Sequence, residues 1–176
     1  LTEDELTEVI GSYDALIAGT EPITARVISA GKNLKIISRV GIGLDSVDLN
    51  ACRASSILVT YTPDAPSRSV SELTIGLMLN LVRHINLANI SNRAGRWQRF
   101  MGKALCDLNI GIVGYGRIGR MVALYLHGLG VRVIKVLEIE NESCALAKSE
   151  GFELVNEWGD FKGCDIVSLH VPLTSR

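Results

Sequence analysis

The sequence predicts a parallel α/β protein built from two doubly wound units, and three observations predict it. Short apolar runs alternate with stretches of helical periodicity, the pattern of strand–helix–strand units. Gly114-Tyr115-Gly116-Arg117-Ile118-Gly119 stands between a fully apolar run and an amphipathic stretch, where a Rossmann-type βαβ unit carries its glycine turn. Between the two units, residues 61–67 hold Pro63 and Pro66, which make a rigid, extended connection. The boundary therefore falls at about residue 67, giving units 1–67 and 68–176.

Thr2-x-x-Glu5 reads as a capping box that opens a first helix. Residues 14–18 read as a strand followed by Gly19, and residues 23–30 as a helix closed by Gly31. A β-rich strand over 34–40 ends in Gly41-Ile42-Gly43, and a helix over 47–54 leads to a strand at 57–60. Ser69-x-x-Glu72 is a second capping box and opens the longest helical stretch. There Leu73, Leu77, Leu81 and Ile85 recur at i+4, and the pattern fades by Gly95. In the second unit a buried strand over 108–113 precedes the glycines. The helix after them places Ile118, Met121, Val122, Tyr125 and Leu129 on one face and ends at Gly128 and Gly130. Strands at 131–137, 152–155 and 165–171, the last stopped by Pro172, and a helix at 142–150 complete the unit.

Composition is ordinary for a globular chain: 47% hydrophobic, 21% charged, net charge -1. A core can be filled, and no polyanion-binding surface is implied, so nucleic acid is not an expected partner. No apolar run reaches the roughly 18–20 residues that span a bilayer, so no membrane role is expected. The acidic first residues are not expected to be a signal peptide, and Leu1 is not a natural initiator, so a processed or fragmentary start is expected. Cys52, Cys106, Cys144 and Cys164 form no CxxC pair, and His84, His127 and His170 stand apart from them. No metal site is expected; reduced thiols in a cytoplasmic protein are the plain reading.

Glycine supplies 17 of 176 residues, so the glycine pattern gains its meaning from its context. Each glycine then has a physical task. Gly114 permits the tight turn, Gly116 lets the backbone approach a pyrophosphate, and Gly119 lets the helix pack close to the strand. The helix N-terminus offers N–H groups and partial positive charge to the anion, and Arg117 can add a charge-assisted contact. The pattern asks for an acid about 20 residues on to hold the ribose hydroxyls. Leu137 occupies that place, so Glu138 is expected to take the role after a small shift of the strand end; a solvated glutamate is the plainer alternative. No Arg or Lys follows closely to meet a 2′-phosphate, which favours NAD over NADP.

Five ordered motifs carry a resemblance that runs essentially end to end. They are the run from Ser38-Arg39-Val40-Gly41-Ile42-Gly43 to Asp48, the run Thr62-Pro63-Asp64-Ala65-Pro66-Ser67-Arg68-Ser69-Val70-Ser71-Glu72-Leu73-Thr74, Gly95-Arg96-Trp97, the glycine motif, and Ser168-Leu169-His170-Val171-Pro172-Leu173. With these the chain resembles the D-isomer-specific 2-hydroxyacid dehydrogenases, most closely the phosphoglycerate-dehydrogenase branch. The resemblance implies a flavodoxin-like substrate domain over 1–67 and the first half of a Rossmann-type NAD-binding domain over 68–176, each partial, with the chain truncated at both ends. It implies that Arg39, Val40 and Gly41 hold the substrate carboxylate, largely through backbone N–H groups, as a small anion nest can; a simple turn at Gly41 and Gly43 is the alternative. It implies that Val70, His170, Val171 and Pro172 contact the cofactor, and that the helix from Ser69 serves a homodimer.

His170 lines the dinucleotide groove in this reading and is not catalytic. The family's catalytic Arg, Glu and His follow the strand that ends at Pro172, and Arg176 is too early to be the Arg. No catalytic residue is assigned, and this polypeptide alone is expected not to turn over substrate. The implied reaction converts a 2-hydroxy acid and NAD to a 2-oxo acid and NADH. The leading substrate reading that the resemblance implies is 3-phosphoglycerate, giving 3-phosphohydroxypyruvate for serine biosynthesis. Gly19 stands where that branch often has an Arg for the phosphate, so another D-2-hydroxyacid dehydrogenase or a glyoxylate/hydroxypyruvate reductase is the alternative. From another class come an NAD(H)-sensing, corepressor-like binding protein and an inactive relative.

Overall fold

The computed structural model describes residues 1–172, and the chain divides into two compact units, Leu1–Pro66 and Ser67–Arg176. In the first, three parallel strands lie in the order β1 (Ala15–Ala18), β2 (Ile36–Arg39), β3 (Leu58–Tyr61). Side chains alternate along a strand, so the register Leu16↔Ile37↔Val59 puts three apolar groups on one face. Helices α1 (Glu3–Val9), α2 (Ala25–Ala30) and α3 (Leu49–Ala54) add Leu6, Val27, Ile28 and Cys52 to the same core. On the opposite face Ile17 and Leu58 stay 77% and 59% exposed, although parallel sheets are ordinarily covered on both sides.

Thr2 caps α1 as the sequence predicts: its Oγ1 accepts from Glu5 N–H while the Glu5 carboxylate accepts from Thr2 N–H. Two other helix starts move. Ile23 and Val47, expected as helical, instead form an isolated parallel bridge. Ile23 N–H donates to Ser46 C=O, and its C=O accepts from Asp48 N–H. Burial of both side chains is better served by that bridge, so α2 waits until Ala25 and α3 starts behind the Asp48 cap.

In the second unit four parallel strands take the order β6-β5-β4-β7. They are β4 (Asn109–Val113), β5 (Val133–Leu137), β6 (Glu153–Val155) and β7 (Ile166–Leu169). This is the order of the first four strands of a Rossmann sheet, and strand order reverses between β4 and β7, where such sheets bind ligands. Helices α6 (Arg117–Gly128) and α7 (Asn141–Ser149) are the crossovers. Ile110, Ile112, Ile134 and Val136 of the sheet are buried with Val122, Ala123 and Leu126 of α6 and Met78 of α4 (Ser67–Arg83).

The second capping box is not formed. The chain enters α4 directly after Pro66, two residues early, so Ser69 is already helical and Glu72 pairs with Arg68 at 3.0 Å. The long helix is also not continuous. His84 takes a left-handed conformation (φ 55), and α5 (Ile85–Arg93) starts afresh, with Asn80 Oδ1 accepting from Asn86 N–H at 2.8 Å. No described helix is long and apolar enough to cross a membrane, and no group of three metal-binding side chains occurs among the described residues.

Candidate functional site

The glycine motif sits at the C-terminal end of β4, at the strand-order reversal. Gly114 N–H continues the ladder to Leu137 C=O at 2.9 Å, and its φ of +90° is one that L side chains rarely adopt. A Cβ there would meet His170 C=O at 2.6 Å. A Cβ on Gly119 would lie 2.0 Å from the Gly114 carbonyl oxygen, so α6 approaches the turn as closely as a glycine allows. Gly116 differs: it is exposed, and nothing lies within 4 Å of a Cβ built there. It is the N-cap of α6 with no side chain to cap the first-turn N–H groups, and no acid stands in that turn. The open ground above Gly116 is therefore walled by N–H donors and by the positive end of a helix dipole. Arg117 begins α6 and is exposed, whereas Ile118 packs against the core.

Glu138 is the first residue past β5, and it folds back on the turn. Its Oε2 accepts from Tyr115 N–H at 2.6 Å, and its Oε1 accepts from Ile139 and Glu140 N–H at 2.6 and 3.0 Å. Burial pushes its pKa up, but the three N–H donors outweigh burial and hold it below the ordinary carboxylate value. A carboxylate has about four acceptor sites; three are used here by donors among the described residues. The depressed pKa fixes a sign. Ionised Glu138 stabilises the fold above its unfolded value near pH ~4.3, and that stabilisation is lost as pH falls through the folded value. Glu138→Gln is thus expected to flatten the loss of stability between about pH 5 and pH 3, read by urea midpoints across that range. Parallel acid profiles for the two proteins would contradict the assignment.

The segment after β7 closes the other side of the turn. His170 N–H donates to Val113 C=O at 2.7 Å, and its Nε2 lies 2.9 Å from Ser168 Oγ. Burial lowers its pKa, so the ring is neutral at neutral pH. Val171 approaches Gly114, and Val171 and Pro172 are exposed; Leu173 and Arg176 lie outside the described residues. Val70 is exposed on the first turn of α4. Its neighbour Ser71 is buried and donates to Ser67 C=O at 2.7 Å, with Ile118 C=O at 3.4 Å. That contact fastens the start of α4 to the first turn of α6.

In the first unit the expected anion nest is largely committed. Val40 N–H extends the β1–β2 ladder to Ala18 C=O at 2.8 Å, and Gly41 N–H is shared between Arg39 C=O and Thr62 Oγ1 at 3.1 and 2.8 Å. The N–H groups without a partner among the described residues come next, at Ile42 and Gly43. The Arg39 guanidinium curls back so that Nη1 donates to Val40 C=O, and Nε is buried without a partner among the described residues. Strand pairing carries one residue further than the motif suggests, and this moves the available donors along the loop.

Sequence reasoning missed the side chain of Tyr115 and its partners Arg120 and Glu150. A tyrosine inside a glycine turn is visible in the sequence, but its partner 35 residues away is not.

The comparisons agree on one family. The model for the D-isomer specific 2-hydroxyacid dehydrogenase catalytic domain matches residues 1–168. A hydroxypyruvate reductase of Thermotoga maritima is 39% identical over 99% of this chain and 56% of its own length. A D-3-phosphoglycerate dehydrogenase of Methanocaldococcus jannaschii is 39% identical over 100% of this chain and 34% of its own. The chain thus spans about half, or a third, of the length of these relatives. Among solved structures, the NAD⁺-bound 3-phosphoglycerate dehydrogenase of Entamoeba histolytica superposes with a TM-score of 0.77 at 31% identity, covering 98% of this chain and 51% of that one.

Proposed function

Because the chain belongs to the D-isomer-specific 2-hydroxyacid dehydrogenase family, we propose that its second unit is the first half of a Rossmann-type NAD-binding domain. The first unit is then part of a flavodoxin-like substrate domain, in an enzyme that moves hydride between NAD and a small 2-hydroxy or 2-oxo acid. The observation that carries the reading is the contrast among the three glycines: Gly114 and Gly119 are filled by the fold, and Gly116 is left open. A pyrophosphate fits that cradle, held by the N-terminus of α6 with Arg117 beside it. Glu138 accepts from the adenosine ribose with its remaining acceptor site, and Val70, Ile118 and His170-Val171-Pro172 line the groove. Bound NAD supplies the hydride acceptor.

No residue of this chain is given the proton-transfer role. His84 packs on Phe100, His127 on Phe152, and His170 on Ser168, none with a carboxylate partner among the described residues. The substrate carboxylate is seated just past Arg39-Val40-Gly41 on the β2 loop, where Ile42 and Gly43 supply N–H donors. The first substrate reading is 3-phosphoglycerate, in serine biosynthesis. One observation favours the smaller acids of a hydroxypyruvate or glyoxylate reductase. Beyond β1, Gly19 N–H is gripped by both Glu21 carboxylate oxygens, at 2.9 and 3.0 Å. Burial raises the Glu21 pKa, but backbone N–H groups and Arg39 lower it more. Its negative charge at the strand ends opposes a phosphate there. Four free thiols support a reducing, cytoplasmic setting.

Calorimetric titration tests the cofactor. NAD is expected to bind at least tenfold more tightly than NADP, a difference of ~1.4 kcal/mol, because an ionised Glu138 repels a 2′-phosphate. Tighter binding of NADP would sink the role given to Glu138.

A further inference from the structure

A phosphate-binding turn makes no demand on the side chain between its first two glycines. Here that residue is Tyr115, and it is 2% exposed. Its ring packs on Phe152 with centroids 5.8 Å apart. Its hydroxyl donates to Glu150 Oε2 at 2.6 Å, and its backbone N–H donates to Glu138 Oε2 at 2.6 Å. The residue is therefore tied at both ends, to carboxylates that flank the two ends of α7.

Glu150 is oddly placed for any other purpose. It is the C-cap of α7, where negative charge opposes the helix dipole. Arg120, in the opening turns of α6, holds it there: Nε and Nη2 donate to Oε1 at 2.9 and 2.5 Å. The result is a continuous path from the body of α6, through Arg120 and Glu150, to the tip of the glycine turn. Charge-assisted bonds of this length are strong and directional.

We propose that Tyr115 is a positioning residue of the dinucleotide site. The Arg120–Glu150–Tyr115 chain sets the height of the glycine turn, aiming the N–H groups that follow Gly116 at the pyrophosphate and keeping Glu138 turned to read the ribose. This rests on the NAD reading above.

The test uses the full 176-residue chain and the variants Tyr115→Phe, Glu150→Gln and their combination. Titrations with NAD and NADP are run alongside melting curves. Each single variant is expected to weaken NAD about fivefold, a part of what one hydrogen bond to a charged group supplies, because the lost bond acts on the ligand only through the turn. Each is also expected to shrink the preference for NAD over NADP, because the Tyr115 N–H that holds Glu138 stays in place but its residue is no longer anchored at the hydroxyl. The double variant is expected to bind no worse than the weaker single one, since both changes remove the same bond. A brace that only stabilises the fold would lower the melting temperature and leave the NAD/NADP ratio alone. An unchanged ratio, unchanged NAD affinity, or additive losses would overturn the proposal. If the unsubstituted chain binds no NAD, the cofactor reading fails first and this one with it.

Discussion

Replacing Gly119 with alanine is expected to abolish NAD binding and to cost roughly 3 kcal/mol of stability, the upper end of overpacking penalties. The added Cβ would lie 2.0 Å from the Gly114 carbonyl oxygen and 3.1 Å from its carbon. Neither is a flexible side chain that can swing aside. Either α6 lifts off the sheet, thinning the contacts of Val122, Ala123 and Leu126 in the core, or the turn itself is driven outward. Both outcomes dismantle the anion cradle. Gly116→Ala is the internal control. It adds the same methyl group three residues earlier, at φ -75° and in open space, so urea midpoints should stay within experimental error of the unsubstituted chain. Its Cβ would nevertheless stand in the open ground that the proposed function gives to the pyrophosphate, and NAD affinity should fall more than tenfold. Urea denaturation and NAD titration on the two variants separate the tasks of the two glycines. A well-folded Gly119→Ala that binds NAD normally would contradict the close-packing account.

The alternation of periods made the fold legible because it reflects burial directly. A parallel strand covered by helices must be apolar along its length, as Ile110 to Val113 are, and a helix on a sheet must repeat every three to four residues, as α6 does. Strand positions in the sequence therefore agree with the structure to within one or two residues. What failed was punctuation. Ser69-x-x-Glu72 has the letters of a capping box, yet a helix starts wherever the chain can turn in, and Pro66 brought it in at Ser67. Ile23 and Val47 look helical in their local windows, but each completes the other's backbone pairing 24 positions away. The break at His84 leaves no proline or glycine signal, since it depends on Asn80 capping the next helix with its side chain.

The geometry of the candidate site was legible in its backbone and not in its side chains. The glycines follow from steric demands that any such turn imposes, whereas Glu138 stands one position past the place that the glycine spacing points to. The rest depends on contacts distant in sequence. Tyr115 meets Glu150 across 35 residues, and Arg39 folds onto its own loop with no local pattern to announce it. The loop after β2 shows the limit most clearly. A strand-end glycine pair is consistent with an anion nest, but only the ladder from Val40 to Ala18 shows which N–H groups are already used.

We propose that the chain pairs with a second copy through α4, and Leu77→Glu is then expected to favour monomers, raising the dissociation constant more than about 100-fold, or ~3 kcal/mol. The reason lies in the two apolar faces of α4. One face, with Ile75, Met78, Leu79 and Val82, packs into the core of the second unit. The other carries Leu73, Leu77 and Leu81 at i+4 spacing, and these remain 62%, 54% and 65% exposed. Leu87 and Ile90 of α5 add to the exposed apolar surface of this unit. A helix that is apolar on both sides is ordinarily buried on both, and contiguous apolar surface of this kind marks an interface. Because Leu77 is exposed in the protomer, a charge there costs the isolated chain little. Its effect should appear in assembly, with the melting temperature falling only by the share that dimerisation contributes at the protein concentration used. Sedimentation equilibrium across a concentration series reads this directly. An unsubstituted chain that stays monomeric at tens of micromolar, or a Leu77→Glu dimer as tight as the parent, would remove α4 as the interface. The stripe of leucines would then need another cover.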